Sequence, residues 1–310
     1  GAASARQGSH GSYAALVAAP STLRLPDGRL LAFDDVGDPA GPAVVYLHGT
    51  PDSRLARPAD ALTEAAGVRL LAVDRPGAGD SDHHAAGDLS SLGTDLAALL
   101  DHLGLDRAVL LGWSAGGLAA LGSAVVLSPR VQAIGLVGTV PPVEAYRDPG
   151  VVAALGPARR SFVELALEVP PAELAAEAAP FLVPDPLTAD TARAHVLDGA
   201  GEVGRRELAA VPGAVDALAE GVAASVRGGL AGLEADLRRQ LEPGLDLSTI
   251  TAPVRAFHGG RDPVSPPEVG AWLVARLPNA VLDLTPDGGH HLLFPRWRGI
   301  LRALCRDAGI

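Results

Sequence analysis

Short apolar runs alternate with stretches of helical periodicity over most of the chain. Residues 21–25 and 29–36 each alternate apolar and polar side chains, and Asp27-Gly28 between them is a strong turn signal, so a hairpin is expected first. Beyond a Gly/Pro-rich break at 37–42, continuous apolar runs occupy 43–47, 68–73, 108–111 and 131–137. They are short for helices and lack the alternation of a half-solvated sheet, as strands buried on both faces do. Between them, residues 56–66, 89–103 and 118–127 space their apolar side chains as helices do. This alternation predicts an α/β fold, a mostly parallel central sheet with helices on both faces.

The pattern changes at Pro141. From there to Thr249 no strand is legible, and Ala-, Leu-, Glu- and Arg-rich sequence broken by eight prolines, from Pro157 to Pro243, predicts several short helices. Alternation then resumes with a strand at 253–258, a helix at 267–277, a strand at 280–284 and a last helix at 295–306. The expected division is an α/β core of 21–140 and 250–310, a helical cap of 141–249, and an N-terminal extension of 1–20. That extension reads as disordered or partly vector-derived, its small polar run 8–12 being the candidate remnant.

Composition narrows the function classes. With 310 residues, 48% apolar and 20% charged, the chain buries a sizeable core and is neither a disordered tail nor a fibre. Its net charge of −11 argues against a nucleic-acid partner, which needs clustered cations. All 25 basic residues are arginine, lysine and methionine are absent, and Asn279 is the one asparagine, a bias of GC-rich codons rather than of function. Cys305 is the only cysteine, so no intramolecular disulfide forms and a small core residue is the expected role. Apolar stretches stop short of the ~18 residues a membrane span needs, and no secretory signal is legible, so a cytoplasmic protein is expected. The oligomeric state is not legible.

The chemistry sits at Gly112-Trp113-Ser114-Ala115-Gly116-Gly117. Gly-x-Ser-x-Gly directly after a short apolar strand and opening a helix is the context of a nucleophile elbow. The sharp turn lifts the hydroxyl clear of the sheet, at a helix N-terminus that favours developing negative charge. A serine needs a base, and the base an orienting acid. Asp262 follows the strand at 253–258, and His290 follows the one at 280–284, both at the strand ends where open α/β sheets gather ligands. The order Ser114, Asp262, His290 is that of the elbow-bearing hydrolases. His290, directly after Gly288-Gly289, is favoured over His291 as the base. The oxyanion donors are expected at the N–H groups of Ala115 and Thr50, the latter in His48-Gly49-Thr50-Pro51. His48 is expected to hold that loop by a hydrogen bond. His48, Trp113 and His291 are candidate pocket residues.

These segments, with Tyr46-Leu47 and Asp74-Arg75-Pro76-Gly77-Ala78-Gly79-Asp80-Ser81, occur in the order and spacing of the α/β-hydrolase superfamily, which the chain resembles from about Ser21 onward. The resemblance implies an α/β-hydrolase fold with the helical cap between core strands six and seven. It implies Ser114 as nucleophile, His290 as base and Asp262 as acid, with no metal and no organic cofactor. It makes residues 74–81 a structural turn beside the site. The branch resembled is esterase-like, and the expected substrate is a small or medium apolar carboxylic ester.

Superfamily epoxide hydrolases and haloalkane dehalogenases use Asp at the elbow, so Ser114 argues against both, whereas a cofactor-free haloperoxidase would share the triad. A C–C bond hydrolase, lactonase, thioesterase or biosynthetic cyclase or lyase would use the same three residues, and a non-catalytic small-molecule receptor on this scaffold is the reading from another class. Other features read as bland. His83-His84 lacks ligand spacing and reads as a surface loop. Glu164, Glu168, Glu173 and Glu177 read as a solvated face, as do Arg238-Arg239. Phe162, Leu165, Phe181, Leu182 and Leu197 are candidates for an acyl pocket or for the core of the cap.

Overall fold

A computed structural model describes residues 19–242 and 244–310; the extension read at 1–20 lies outside them except for its last two residues. Strands β1 (Ser21–Arg24) and β2 (Leu30–Gly37) form the expected hairpin. They are followed by β3 (Ala43–Leu47), α1 (Asp60–Glu64), β4 (Arg69–Val73), α2 (Ser91–His102), β5 (Ala108–Trp113), α3 (Ala115–Leu127) and β6 (Val131–Val137). Among the described residues six α-helices then intervene before β7: α4 (Pro149–Ala154), α5 (Pro157–Glu168), α6 (Pro171–Ala178), α7 (Ala189–Ala209), α8 (Ala214–Ser225) and α9 (Ala231–Leu241). The chain closes with β7 (Val254–Gly259), α10 (Pro267–Val274), β8 (Ala280–Thr285) and α11 (Leu293–Asp307).

The eight strands form one sheet in the order β1-β2-β4-β3-β5-β6-β7-β8. β2 runs antiparallel to both neighbours, and the strands from β4 to β8 are parallel. Alternate side chains of the central strands feed opposite layers. Val45 and Leu47 of β3 join the cluster holding α2, α3 and α10, whereas Val44 and Tyr46 join the one holding α11. The α11 stripe of Leu293, Phe294, Trp297, Ile300, Leu301 and Leu304 recurs at helical spacing and is fully buried. Trp297 stands edge-on to Tyr46 and donates its indole N–H to Thr63 at 3.0 Å.

The helix expected over 56–66 contracts to α1. Pro58 disfavours helical backbone at Arg57, and the preceding turn is held otherwise. Tyr46 donates to the Ala56 carbonyl at 2.6 Å, and Arg57 bonds the Arg54 carbonyl and pairs with Asp34. Arg54, 2% exposed, pairs with Asp34, Asp74 and Asp80, which pins the 74–81 turn to the loop after β3. Truncating one partner of such a buried network leaves uncompensated charges. Arg54→Ala is therefore expected to lower unfolding stability by about 3–5 kcal/mol, read as a shift in the urea midpoint.

Residues 143–249 carry their own small core of Val143, Tyr146, Leu155, Val163, Leu174 and Leu241. Three of the prolines there do not break helices but open them, at the first positions of α4, α5 and α6, where no intrahelical N–H is lost. Glu164, Glu168, Glu173 and Glu177 are exposed. Arg238-Arg239 is not a solvated pair: Arg239 is buried and donates to the Gly87 and His84 carbonyls, and Arg238 reaches Ala85 and Gly87. The loop after β4 is thereby fastened beneath α9. Among the described residues no helix is long and apolar enough to cross a membrane.

Candidate active site

β5 ends at Trp113 and α3 starts at Ala115, so Ser114 occupies the turn between strand and helix. Its φ of 54° and ψ of −123° make it, among the described residues, the one non-glycine with φ well inside the positive range that glycine favours. A conformation of that kind costs on the order of 1–3 kcal/mol and persists only where the surroundings enforce it. Enforcement here is steric and local. A Cβ on Gly112 would lie 2.2 Å from the Gly116 carbonyl oxygen, and one on Gly116 would lie 2.1 Å from that of Leu47. The two glycines let strand, elbow and helix close on one another, and the Ser114 N–H ties the turn to the Val137 carbonyl at 2.9 Å.

The loops after β7 and β8 bring two further sequence-nominated side chains to this serine. Ser114 Oγ lies 3.0 Å from His290 Nε2, and His290 Nδ1 lies 2.8 Å from Asp262 Oδ2. With the ring proton on Nδ1, the imidazole donates to Asp262 and accepts from the serine hydroxyl. The other Asp262 oxygen accepts the N–H groups of Val264 and Ser265, each at 2.8 Å. Burial pushes this carboxyl up, but the His290 charge, the His290 hydrogen bond and the two backbone donors outweigh it, and the net pKa falls below the usual 3.8. Trp113 buttresses the histidine loop, its indole N–H donating to the His290 carbonyl at 3.0 Å. His291 is not in this chain of contacts. Burial, then the neighbouring His290, lower its pKa to about 3, so it is neutral at ordinary pH.

The loop after β3 approaches from the other side. A Cβ placed on Gly49 would lie 3.3 Å from that of Ser114. His48 is fully buried under this loop and does not line the cavity in front of Ser114. Its Nδ1 donates to the Gly49 carbonyl at 2.8 Å and its Nε2 accepts the Arg75 N–H at 3.0 Å. Burial, then the Arg75 charge, lower its pKa to about 3, consistent with a ring nitrogen that accepts. Thr50 and Ala115, the expected oxyanion donors, both line the cavity beside Ser114.

Residues 42–296 match the family described as alpha/beta hydrolase fold. The chain is also 31% identical over 269 residues to a pimeloyl-[acyl-carrier protein] methyl ester esterase of Chromobacterium violaceum, covering 85% of this chain and 93% of that one. The chain belongs to the α/β-hydrolase fold family. This α/β-hydrolase is 32% identical over 140 residues to epoxide hydrolase A of Mycobacterium tuberculosis, and spans only 43% of that relative's length. It shares its fold with a thermophilic esterase of Thermogutta terrifontis, at a TM-score of 0.64, 22% identity and coverage of 94% of this chain and 100% of that one.

The cavity of this α/β-hydrolase has a volume of about 570 Å³. Ser114 and His290 line it, and the 143–249 helices supply much of the rest of its wall. Of the apolar residues nominated from sequence, Phe162, Phe181 and Leu182 line it, whereas Leu165 and Leu197 do not. Tyr146, Leu218, Val222 and Leu237 line it too. Polar contributors not expected from sequence are Asp52, Arg159, His195 and Gln240. Nor did the sequence single out Arg75, Asp236 or Glu207, whose contacts reach the site loops. Nothing local marks Asp236 or Glu207, since a charged side chain on an amphipathic helix reads the same whether solvated or paired; Arg75 lies in the loop after β4, within the stretch read from sequence only as a structural turn.

Proposed function

We propose that this α/β-hydrolase cleaves small or medium carboxylic esters through an acyl-enzyme on Ser114. The observation that carries the reading is the continuous chain Ser114 Oγ, His290, Asp262, beginning at a serine held at a φ of 54°. His290 Nε2 takes the hydroxyl proton as Oγ attacks the carbonyl carbon. The N–H groups of Ala115 and Thr50 receive the oxyanion, and Asp262 holds the tautomer and stabilises the imidazolium. The imidazolium gives its proton to the leaving alcohol as the tetrahedral adduct collapses. Water, deprotonated by the same histidine, then releases the acid and frees Ser114. Residues 143–249 act as a cap that walls the cavity and excludes bulk water. A serine at the elbow disfavours epoxide opening despite the likeness to an epoxide hydrolase.

The test is intact-mass spectrometry after treatment with a fluorophosphonate, followed by an ester panel. A single adduct on Ser114 and turnover of p-nitrophenyl esters are expected. Absence of both overturns the reading.

The lining also suggests how substrates differ. Arg159 is the only arginine lining the cavity, and it forms no ion pair among the described residues. An ester carrying a distal carboxylate is expected to have kcat/KM about tenfold above a neutral ester of equal length, from one partly solvated charge contact. Comparing mono-p-nitrophenyl adipate with p-nitrophenyl hexanoate on wild type and Arg159→Gln checks this. The preference should vanish in the variant while hexanoate turnover persists.

A further inference from the structure

Two carboxylates of the 143–249 segment reach the two loops on which the reaction depends. Asp236, on α9, pairs with the Arg75 guanidinium and accepts from Thr50 Oγ1 at 2.5 Å. Gln240, one turn on, donates to the same Thr50 oxygen at 3.1 Å. Arg75 in turn donates to the Gly49 carbonyl at 2.6 Å and to Thr50 Oγ1 at 2.8 Å. The Gly49 carbonyl therefore accepts from both Arg75 and His48 Nδ1. That carbonyl and the Thr50 N–H belong to one rigid peptide unit and point to opposite sides of it. Fixing the carbonyl fixes the direction of the N–H assigned to the oxyanion.

The second carboxylate does the same for the base. Glu207, in the last third of α7, accepts the Gly289 N–H at 2.7 Å and the His291 N–H at 3.0 Å, one on each carboxylate oxygen. The residue between those two donors is His290. Gly201, with φ 63° and ψ −174°, kinks α7 between a half that lines the cavity through His195 and Val196 and the half that carries Glu207. The kink lets one element serve both surfaces.

We propose that Asp236 and Glu207 are positioning residues for catalysis. The helical segment holds the oxyanion loop and the histidine loop in reactive geometry as well as covering the substrate. The inference rests on the acyl-enzyme reading above. It implies that undocking this segment loosens both loops at once, so that a cap displaced to admit substrate leaves an incompetent site until it returns.

The experiment compares Asp236→Asn and Glu207→Gln with wild type, counting competent sites by fluorophosphonate titration so that unfolded protein does not enter the rate. Expected is a fall in kcat per titrated site of about 10- to 100-fold, with KM within about threefold, because small misplacement acts mainly on the transition state. The inhibition constant of an arylboronic acid, whose tetrahedral adduct on Ser114 places an oxygen where the oxyanion forms, should rise in parallel for Asp236→Asn. Glu207→Asp, which keeps both acceptor oxygens, should regain part of the rate lost in Glu207→Gln. A merely structural role predicts a lower melting temperature with kcat per titrated site and boronate affinity unchanged within about twofold, and that result overturns the proposal. If either variant fails to fold, Asp236→Glu and Glu207→Asp replace it under the same criteria. If wild type takes no fluorophosphonate label and turns over no ester, it is the acyl-enzyme reading that fails.

Discussion

Ser114→Ala is expected to lower kcat by about 10⁶-fold on any ester that the wild-type protein turns over, because nucleophile and base act as a unit and losing either costs nearly as much as losing both. What survives is the contribution of the cavity and the oxyanion donors acting on water. The fold should survive as well. The replaced hydroxyl is bonded to His290, and the strained backbone is enforced by neighbours that the change leaves in place. Ser114→Gly sharpens the argument. Glycine occupies positive φ without the penalty paid by Ser or Ala, so this variant should be as inactive as Ser114→Ala yet more stable than it by about 1 kcal/mol. Burst kinetics with a p-nitrophenyl ester, intact mass after fluorophosphonate and urea unfolding of the three proteins provide the measurements. Activity within a hundredfold of wild type in either variant would remove Ser114 from the role of nucleophile.

The parts of this molecule that were legible in its sequence are those encoded over short spans. Continuous apolar runs announced the parallel strands, because a strand covered on both faces has no polar side to show. Glycines flanking Ser114 announced a turn that no larger residue fits. The order of Ser114, Asp262 and His290 along the chain nominated three side chains that the structure brings within hydrogen-bonding distance. Failures occurred where a side chain's partner is distant in sequence. Arg239 sits 155 residues from His84, whose carbonyl it binds, and Asp236 sits 186 residues from Thr50. On a helix of alternating charge, both look like solvated residues. Helix α1 failed for a different reason: Pro58 cut short a periodicity that otherwise ran from 56 to 66. The acyl-pocket nominations divided because apolar spacing says that a residue is turned inward, not whether it meets the cavity or the segment's own core.

Asp262→Asn is expected to cost about 10⁴-fold in kcat, less than the loss of serine, and for a reason the hydrogen bonds make explicit. Asp262 Oδ1 accepts two backbone N–H groups, so an asparagine settles with its carbonyl oxygen there and its amide NH₂ toward His290. Facing a donor, His290 Nδ1 must accept, and the ring proton moves to Nε2. That atom then donates toward Ser114 Oγ instead of accepting its proton, with every side chain still in place. The pH dependence follows from the direction of the Asp262 shift. Its folded pKa lies below 3.8, so the stability contributed by the ionised carboxylate is fully present above about pH 4 and is lost as pH falls through the folded value. Above about pH 4 the titration of Asp262 itself thus adds no pH dependence to the destabilisation of Asp262→Asn, and its kcat deficit should persist through the neutral range. Substrate KM should change little, since no contact with substrate is lost. Steady-state kinetics and urea midpoints over that pH range check both limbs. A kcat within tenfold of wild type would mean that the tautomer of His290 is set by some group other than Asp262.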